Sequence, residues 1–450
     1  MGPDVELASR DICATPQSAL MKRSKSIPPD RKYALVVTAG FSVMFTTCAF
    51  IFSYGVYQSL YEEMAEAEGT PFSGSSTALI NLVGILAIAL MSMGGPFAIH
   101  WSKIHSPPAV IVAGGWLFGV AYILSSFGQA LWHFALTQGV LLGIGTCLAY
   151  VPTMSVAPTW FDKRRVGGMV WPPALRAMIT HLGFRNALRI SGCISLTLVS
   201  VAGYALRWEP KFHEQVRIQT QGLRRRGRWI KAPMVNYRVA RSKRFLAQAL
   251  GCFLQSAGYS TPLFFYAAYA STLGYSSTTA ANFITLNSAS NHVSRIAIGY
   301  GADRYGRINA LVVTTLLSAV AVFAFWIPSM FHTPETDVPM PSADGLFIGF
   351  TILYGAFVSA YISLLPASMI ELFGVQNFTN VNGALYLIRG MGALAGTTLT
   401  GMLISKSALT SSYVYERGGI VVGVLLMAAT LACLWVRIEA SLGSSWKWKV

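Results

Sequence analysis

The chain has 450 residues, 53% of them hydrophobic and only 12% charged, with a mean hydropathy of +0.50. Such a composition excludes a soluble globular domain and describes helices solvated mostly by lipid. The formal net charge of +16 does not point to nucleic acid, because the Lys and Arg lie in loops between apolar runs, where the positive-inside rule puts them.

Residues 1–32 are polar, contain Pro and Ser, and end in a basic cluster from Lys22 to Lys32. They are too polar for a signal peptide and read as a disordered cytoplasmic tail. A first span is expected near 33–57, long enough to cross ~30 Å of hydrocarbon at ~1.5 Å per residue. The loop after it carries Glu62, Glu63, Glu66 and Glu68 without Lys or Arg, so it is expected outside. Further spans read near 78–99, 109–127 and 131–157, with Lys103 and Asp162-Lys163-Arg164-Arg165 marking inner loops.

Spans near 187–206 and 245–270 flank a linker, 207–244, whose many Arg and Lys between Arg224 and Arg244 must stay inside. The second half supplies spans near 278–299, 309–328, 345–370, 383–404 and 418–436, followed by a cytoplasmic tail, 438–450. The chain thus divides into an N-terminal half, 33–206, the linker, and a C-terminal half, 245–437. With both termini inside, the span count is even, and it reaches twelve only if 166–180 also crosses. That segment contains Pro172-Pro173, and about fifteen helical residues reach only ~23 Å.

The stretch Gly299-Tyr-Gly-Ala-Asp-Arg-Tyr-Gly-Arg307 joins two spans on the inner side. Gly299 and Gly301 suit close helix approach, Asp303 suits a neighbouring helix N-terminus, and Arg304 and Arg307 hold the turn inside. Gly95-Pro-Phe-Ala-Ile-His-Trp-Ser-Lys103 aligns on it without gaps as a decayed repeat, with Ile99 in the place of Asp303 and Ser102 in the place of Gly306.

This signature resembles the inter-helix loop of the major facilitator superfamily, in which it bears on switching between inward- and outward-open states through Gly299, Asp303, Arg304, Gly306 and Arg307. The resemblance implies an all-α polytopic membrane protein of twelve helices in two six-helix halves, the fifth apparently truncated. Pro29-Asp30, Phe52-Ser-Tyr-Gly-Val-Tyr57, Trp160-Phe-Asp-Lys-Arg-Arg165, Gly183-Phe-Arg-Asn-Ala-Leu-Arg-Ile190 and Asn382-Gly-Ala-Leu-Tyr-Leu-Ile-Arg-Gly390 resemble, in order, the fungal monocarboxylate-transporter-like group. Relatives carry about a dozen more residues after the position of Arg165, so the short segment implies a shortened gene model or a real deletion. The pair that couples proton to anion in animal members is missing. Arg295 stands at the Arg position, but Asn291 replaces the Asp and Ser53 lies near the place of the Lys. A different substrate, a different coupling route or no coupling follows.

Asn287, Asn291 and Arg295 recur every four residues and share one face of the eighth span, as Asn382, Tyr386 and Arg389 do on the eleventh. An ionised Arg inside a bilayer costs ~2.5–3.5 kcal/mol, so Arg295 and Arg389 either face a polar cavity or snorkel to the inner surface. Gln248, Gln255 and Tyr259 form a third stripe, and Tyr54 completes the wall of a candidate site for an anionic or carbonyl-rich aromatic molecule. Individually, the Asn, Gln and Tyr serve equally as helix–helix hydrogen bonds. Gly139, Gly143, Gly145, Gly392 and Gly396 are packing signals.

Nothing equips the chain as an enzyme: its seven His and six Cys have no metal-ligand spacing, and there is no phosphate loop. No cofactor or metal is expected. A secondary transporter exporting a fungal secondary metabolite or organic acid across the plasma membrane is the leading reading. Its expected partners are a small-molecule substrate and the lipid bilayer, and the unit is expected to be a monomer. Uptake of a monocarboxylate or vitamin-like nutrient, or a non-transporting sensor on the same scaffold, are the alternatives.

Overall fold

In hydrocarbon every backbone N–H and C=O must be bonded within the protein. The computed structural model describes residues 30–52, 54–160, 182–207, 235, 237–331, 343–403 and 415–441, and those residues meet the demand with helices and no strand. The N-terminal tail through 29, Ser53, the short segment 166–180, the linker at 208–234 and the loop 332–342 lie outside the described residues.

The first half contains α1 (Asp30–Phe52) and α2 (Tyr54–Glu66), then α3 (Thr77–Met93), α4 (Gly95–Ile104) and α5 (Pro107–Ser125). A short helix, Leu131–Phe134, and a π-helical turn, Ala135–Leu141, lead into α6 (Leu142–Trp160), and α7 (Phe184–Ala205) closes the half. The second half contains α8 (Lys243–Thr272), α9 (Ser277–Tyr305), α10 (Arg307–Ala321), α11 (Ala343–Val358), α12 (Ala360–Leu403) and α13 (Glu416–Ser441). Gly374, at φ 74°, breaks α12 into two arms, so α11 with the first arm forms one rod and the second arm, 375–403, another. Glu62, Glu63 and Glu66, expected on a loop, instead extend the helical rod through α2.

Six described helices are long and apolar enough by themselves to cross a membrane, and the bent pair of α3 and α4 makes a seventh. Both α8, with 30 residues, and α9, with 29, have the length but carry Gln, Asn, Ser and Arg along it. Polar stripes of this kind are what rods lining an interior require. Elsewhere many hydroxyls satisfy themselves on the preceding turn, as Thr47 does on the Val43 carbonyl and Thr315 on that of Leu311, so they enter the bilayer at little cost.

In the first half α5 packs on α6 and α7, and α1 on α6 and α7; in the second, α8 packs on α12 and α13, and α9 on α11. Glycines permit the closest approaches. A methyl at Gly145 would overlap the Phe118 backbone of α5, and one at Gly392 or Gly396 would overlap the carbonyl oxygens of Phe253 or Ala257 in α8. The packing role expected of these glycines is what they perform.

The two copies of the repeat diverge in shape. Pro96 lacks an N–H and crowds the preceding turn, so α3 and α4 meet at a 46° bend, after which the helix runs on through Ser102. In the other copy Tyr300 replaces that proline and α9 runs unbroken to Tyr305, where Gly306 at φ 100° ends it.

The halves meet in two places. The second arm of α12 lies along α3 and α4, where Gly390 sits on Ala89 and Met93 and Gly383 on Pro96. At the end carrying Glu62 and Asp344, which we call the acidic end, α2 touches α8 and α9. At the opposite, basic end, Lys103 donates to the Asn380 Oδ1 at 3.3 Å.

Candidate functional site

Three polar stripes converge on the seam between the halves. Tyr259 lies near the middle of α8 and is buried, 4% exposed, and the Arg389 guanidinium stands over its ring at 5.8 Å. Arg389 comes from the middle of the second arm of α12 and is only 8% exposed, so it does not snorkel to the surface. Arg295 approaches from α9. Its Nε is buried without a hydrogen-bond partner, and its charge reaches both Tyr259 and Cys48 of α1. Tyr259 therefore lies in the field of both cations. Arg389 also acts on Tyr150 of α6, Cys252 of α8 and Tyr361 of the first arm of α12.

The other expected residues separate into different roles. Asn287 is buried, donates to the Tyr266 hydroxyl at 3.4 Å and lies against Gly355, which has no side chain to keep it away. Asn291 accepts from the Ser359 hydroxyl at 2.6 Å, and Ser294 donates to the Ala356 carbonyl at 2.7 Å. These two turns of α9 therefore hold the joint where α11 passes into α12, and only Arg295 on that stripe turns toward Tyr259. Gln255 reaches the same joint through the Val358 carbonyl at 3.1 Å, leaving its own Oε1 buried and unbonded. Gln248 donates to the Tyr361 hydroxyl at 3.1 Å.

Tyr386 lies edge-on to Tyr150 of α6 at 6.5 Å and against Gly95. Asn382, one turn below it, is 1% exposed, with both amide atoms unbonded. Tyr54 belongs elsewhere. Its hydroxyl donates to the Ile80 carbonyl at 2.7 Å and its ring packs on Tyr61 and Phe264, inside the aromatic cluster of the acidic end. Sequence reasoning missed Cys48, Tyr150 and Tyr361, because single residues inside apolar runs carry no periodic signal.

Among the described residues no carboxylate pairs with either central guanidinium group. Among the described residues the ion pairs are those of Arg307, with Asp303 and with Glu371, each at 3.3 Å and at the basic end. A site with two cations, several phenols and no counter-charge attracts an anion with an aromatic or carbonyl-rich body. In the loop stretch Arg304 stacks over Tyr305 at 5.8 Å. Nothing lies within 4 Å of a methyl placed on Gly299 or Gly301, so the close approach expected there is not made. A surface groove lined by Pro107, Pro108, Tyr204 and Arg207 lies at the basic ends of α5 and α7 and plays no part in the central arrangement.

Comparison with known proteins agrees with this architecture. The family profile described as Major Facilitator Superfamily matches residues 39–340. The chain is 27% identical over 385 residues to the "MFS-type transporter pynF" of Aspergillus niger, covering 82% of this chain and 81% of that protein. It is 24% identical over 454 residues to the "Agnestins efflux protein AgnL12" of Paecilomyces divaricatus, covering 97% and 96%. Among solved structures, the D-xylose-proton symporter superposes with a TM-score of 0.63 at 14% identity, over 90% of this chain and 96% of that one.

Proposed function

Because this chain belongs to the Major Facilitator Superfamily, we propose that it exports an anionic, aromatic or carbonyl-rich metabolite from a fungal cell across the plasma membrane by alternating access. It is a multi-pass membrane protein and a secondary transporter of small organic molecules, not an enzyme. The efflux function named for a relative that matches nearly end to end favours export. One observation carries the choice of substrate: Arg295 and Arg389 both act on Tyr259, and among the described residues no carboxylate pairs with them. Keeping two uncompensated cations near the centre of a bilayer costs several kcal/mol, which a bound anion offsets.

In this reading the acidic end faces outside and the basic end, with both termini, faces the cytoplasm, in line with the distribution of Lys and Arg. Arg295, Arg389 and Tyr259 contact substrate, with Tyr386 beside them. Asn287, Asn291 and Gln255 hold the α11–α12 joint, and Tyr54 belongs to the outer seal. The stretch Gly299, Asp303, Arg304, Gly306 and Arg307 acts as the inner latch, through the bridge from Arg307 to Glu371.

Inside-out vesicles from a yeast expressing the protein test this. A fluorescent aromatic carboxylate should accumulate in them, its methyl ester should not, and Arg389→Met should abolish accumulation. Equal accumulation of acid and ester, or an Arg389→Met protein as active as the wild type, would remove the anion from the proposal.

A further inference from the structure

Among the described residues the central site holds no carboxylate, yet one carboxyl is built into the contact between the halves. Gln58 of α2 donates from its Nε2 to the Phe264 carbonyl of α8 at 2.9 Å, crossing the seam, and from the same nitrogen to the Glu62 Oε1 at 3.1 Å. The Gln58 Oε1 on the other side of that amide is buried with no hydrogen-bond partner. Gly55, on the same helix, admits the Ile284 side chain of α9. Glu62 is thus part of the clasp that seals the acidic end.

We propose that Glu62 is a proton-binding site of the transport cycle, protonated while the halves are closed at the outer end and releasing its proton to the outside water as they part. The proposal rests on the alternating-access reading above. The proton leaves the carboxyl for a water molecule, no bond other than O–H breaks, and the carboxylate is left in an open, hydrated cleft.

The surroundings support it. Burial in the clasp pushes Glu62 up to about 7; Gln58 opposes this, and Glu66 on the next turn adds to it. Tyr54 of the same helix and Tyr415, just before α13, share its field. Neither α3 nor the facing part of α9, 277–287, has a titratable side chain, and α8 brings only tyrosines near Phe264. Among the described residues no cation acts on Glu62 to hold it ionised.

The sign follows from linkage. The closed end raises the pKa from an ordinary value of 4.5 in open water to about 7, so closure is favoured by protonation. As pH rises from about 4.5 to about 7 that preference is lost, and the open form gains by up to roughly 300-fold, the factor for a shift of about 2.5 pH units.

Full-length protein in nanodiscs, with the native cysteines replaced by Ser and spin labels at Ser73→Cys and Ser276→Cys, reports the outer opening without any substrate. The longer distance should gain population as pH rises from about 4.5 to about 7 and hold constant above it. Glu62→Gln should stay at the shorter distance throughout, and Glu66→Gln should lower the midpoint. A protonated-carboxyl infrared band titrating over the same range should vanish in Glu62→Gln. A wild-type distance that ignores pH, or a Glu62→Gln protein that keeps the wild-type response, overturns the proposal. Because no substrate is used, either failure is distinct from failure of the export assay.

Discussion

Replacing Arg389 by Met separates a binding cation from a structural one, because the two roles give opposite signs. An ionised Arg in the membrane interior costs ~2.5–3.5 kcal/mol. What the structure returns for it is the stack over Tyr259 at 5.8 Å, worth about 0.5–2 kcal/mol, with no carboxylate pair. Met keeps most of the apolar stem and discards the charge. The ligand-free protein should therefore melt at the same temperature or higher. An anion held by that guanidinium should lose about 2–4 kcal/mol, or roughly 30- to 700-fold in Kd. The assay is a melting curve in detergent, then titration with the first aromatic carboxylate found to raise the wild-type Tm, using its methyl ester as the uncharged control. Ester affinity should change little. A variant that melts well below the wild type yet binds the carboxylate as before would refute the reasoning and make Arg389 a packing residue.

Three further outcomes are expected. Gly396→Leu must displace the Ala257 backbone and should destabilise by about 1–3 kcal/mol, whereas Gly301→Ala meets nothing within 4 Å and should hold or gain up to ~1 kcal/mol, both read as Tm. Gly306→Ala places a side chain at φ 100° and should cost about 1–2 kcal/mol through strain, with a matching fall in folded yield. Asn380→Ala removes the acceptor of the Lys103 Nζ at the basic end and should cost about 1.5–3 kcal/mol, read as a fall in Tm.

The stripe on α9 shows how far periodicity reaches. Four-residue spacing put Asn287, Asn291 and Arg295 on one face, and they share it. It did not distinguish residues that face α11 from one that faces α1 and α8, because that depends on which neighbour lies at each depth of the helix. Tyr54 illustrates the same limit: as a tyrosine at the end of an apolar run it suited a site wall equally well, and only its bond to the Ile80 carbonyl puts it in the seal. Glu62 is visible in the sequence as a charge, but a run of glutamates after a span looks the same whether or not the helix continues beneath it.

By itself the sequence determined the class of solvent, the all-helical fold class and the loop signature, because hydropathy and spacing are local and a bilayer penalises every unpaired backbone group. The tertiary structure alone decided that two guanidinium groups 94 positions apart in the chain share Tyr259, that no carboxylate among the described residues joins them, and that Gln58 ties one half to the other through Phe264. Those are meetings between distant segments, set by how bent and broken rods pack, and no one-dimensional pattern encodes which side chain a neighbouring rod presents at a given height.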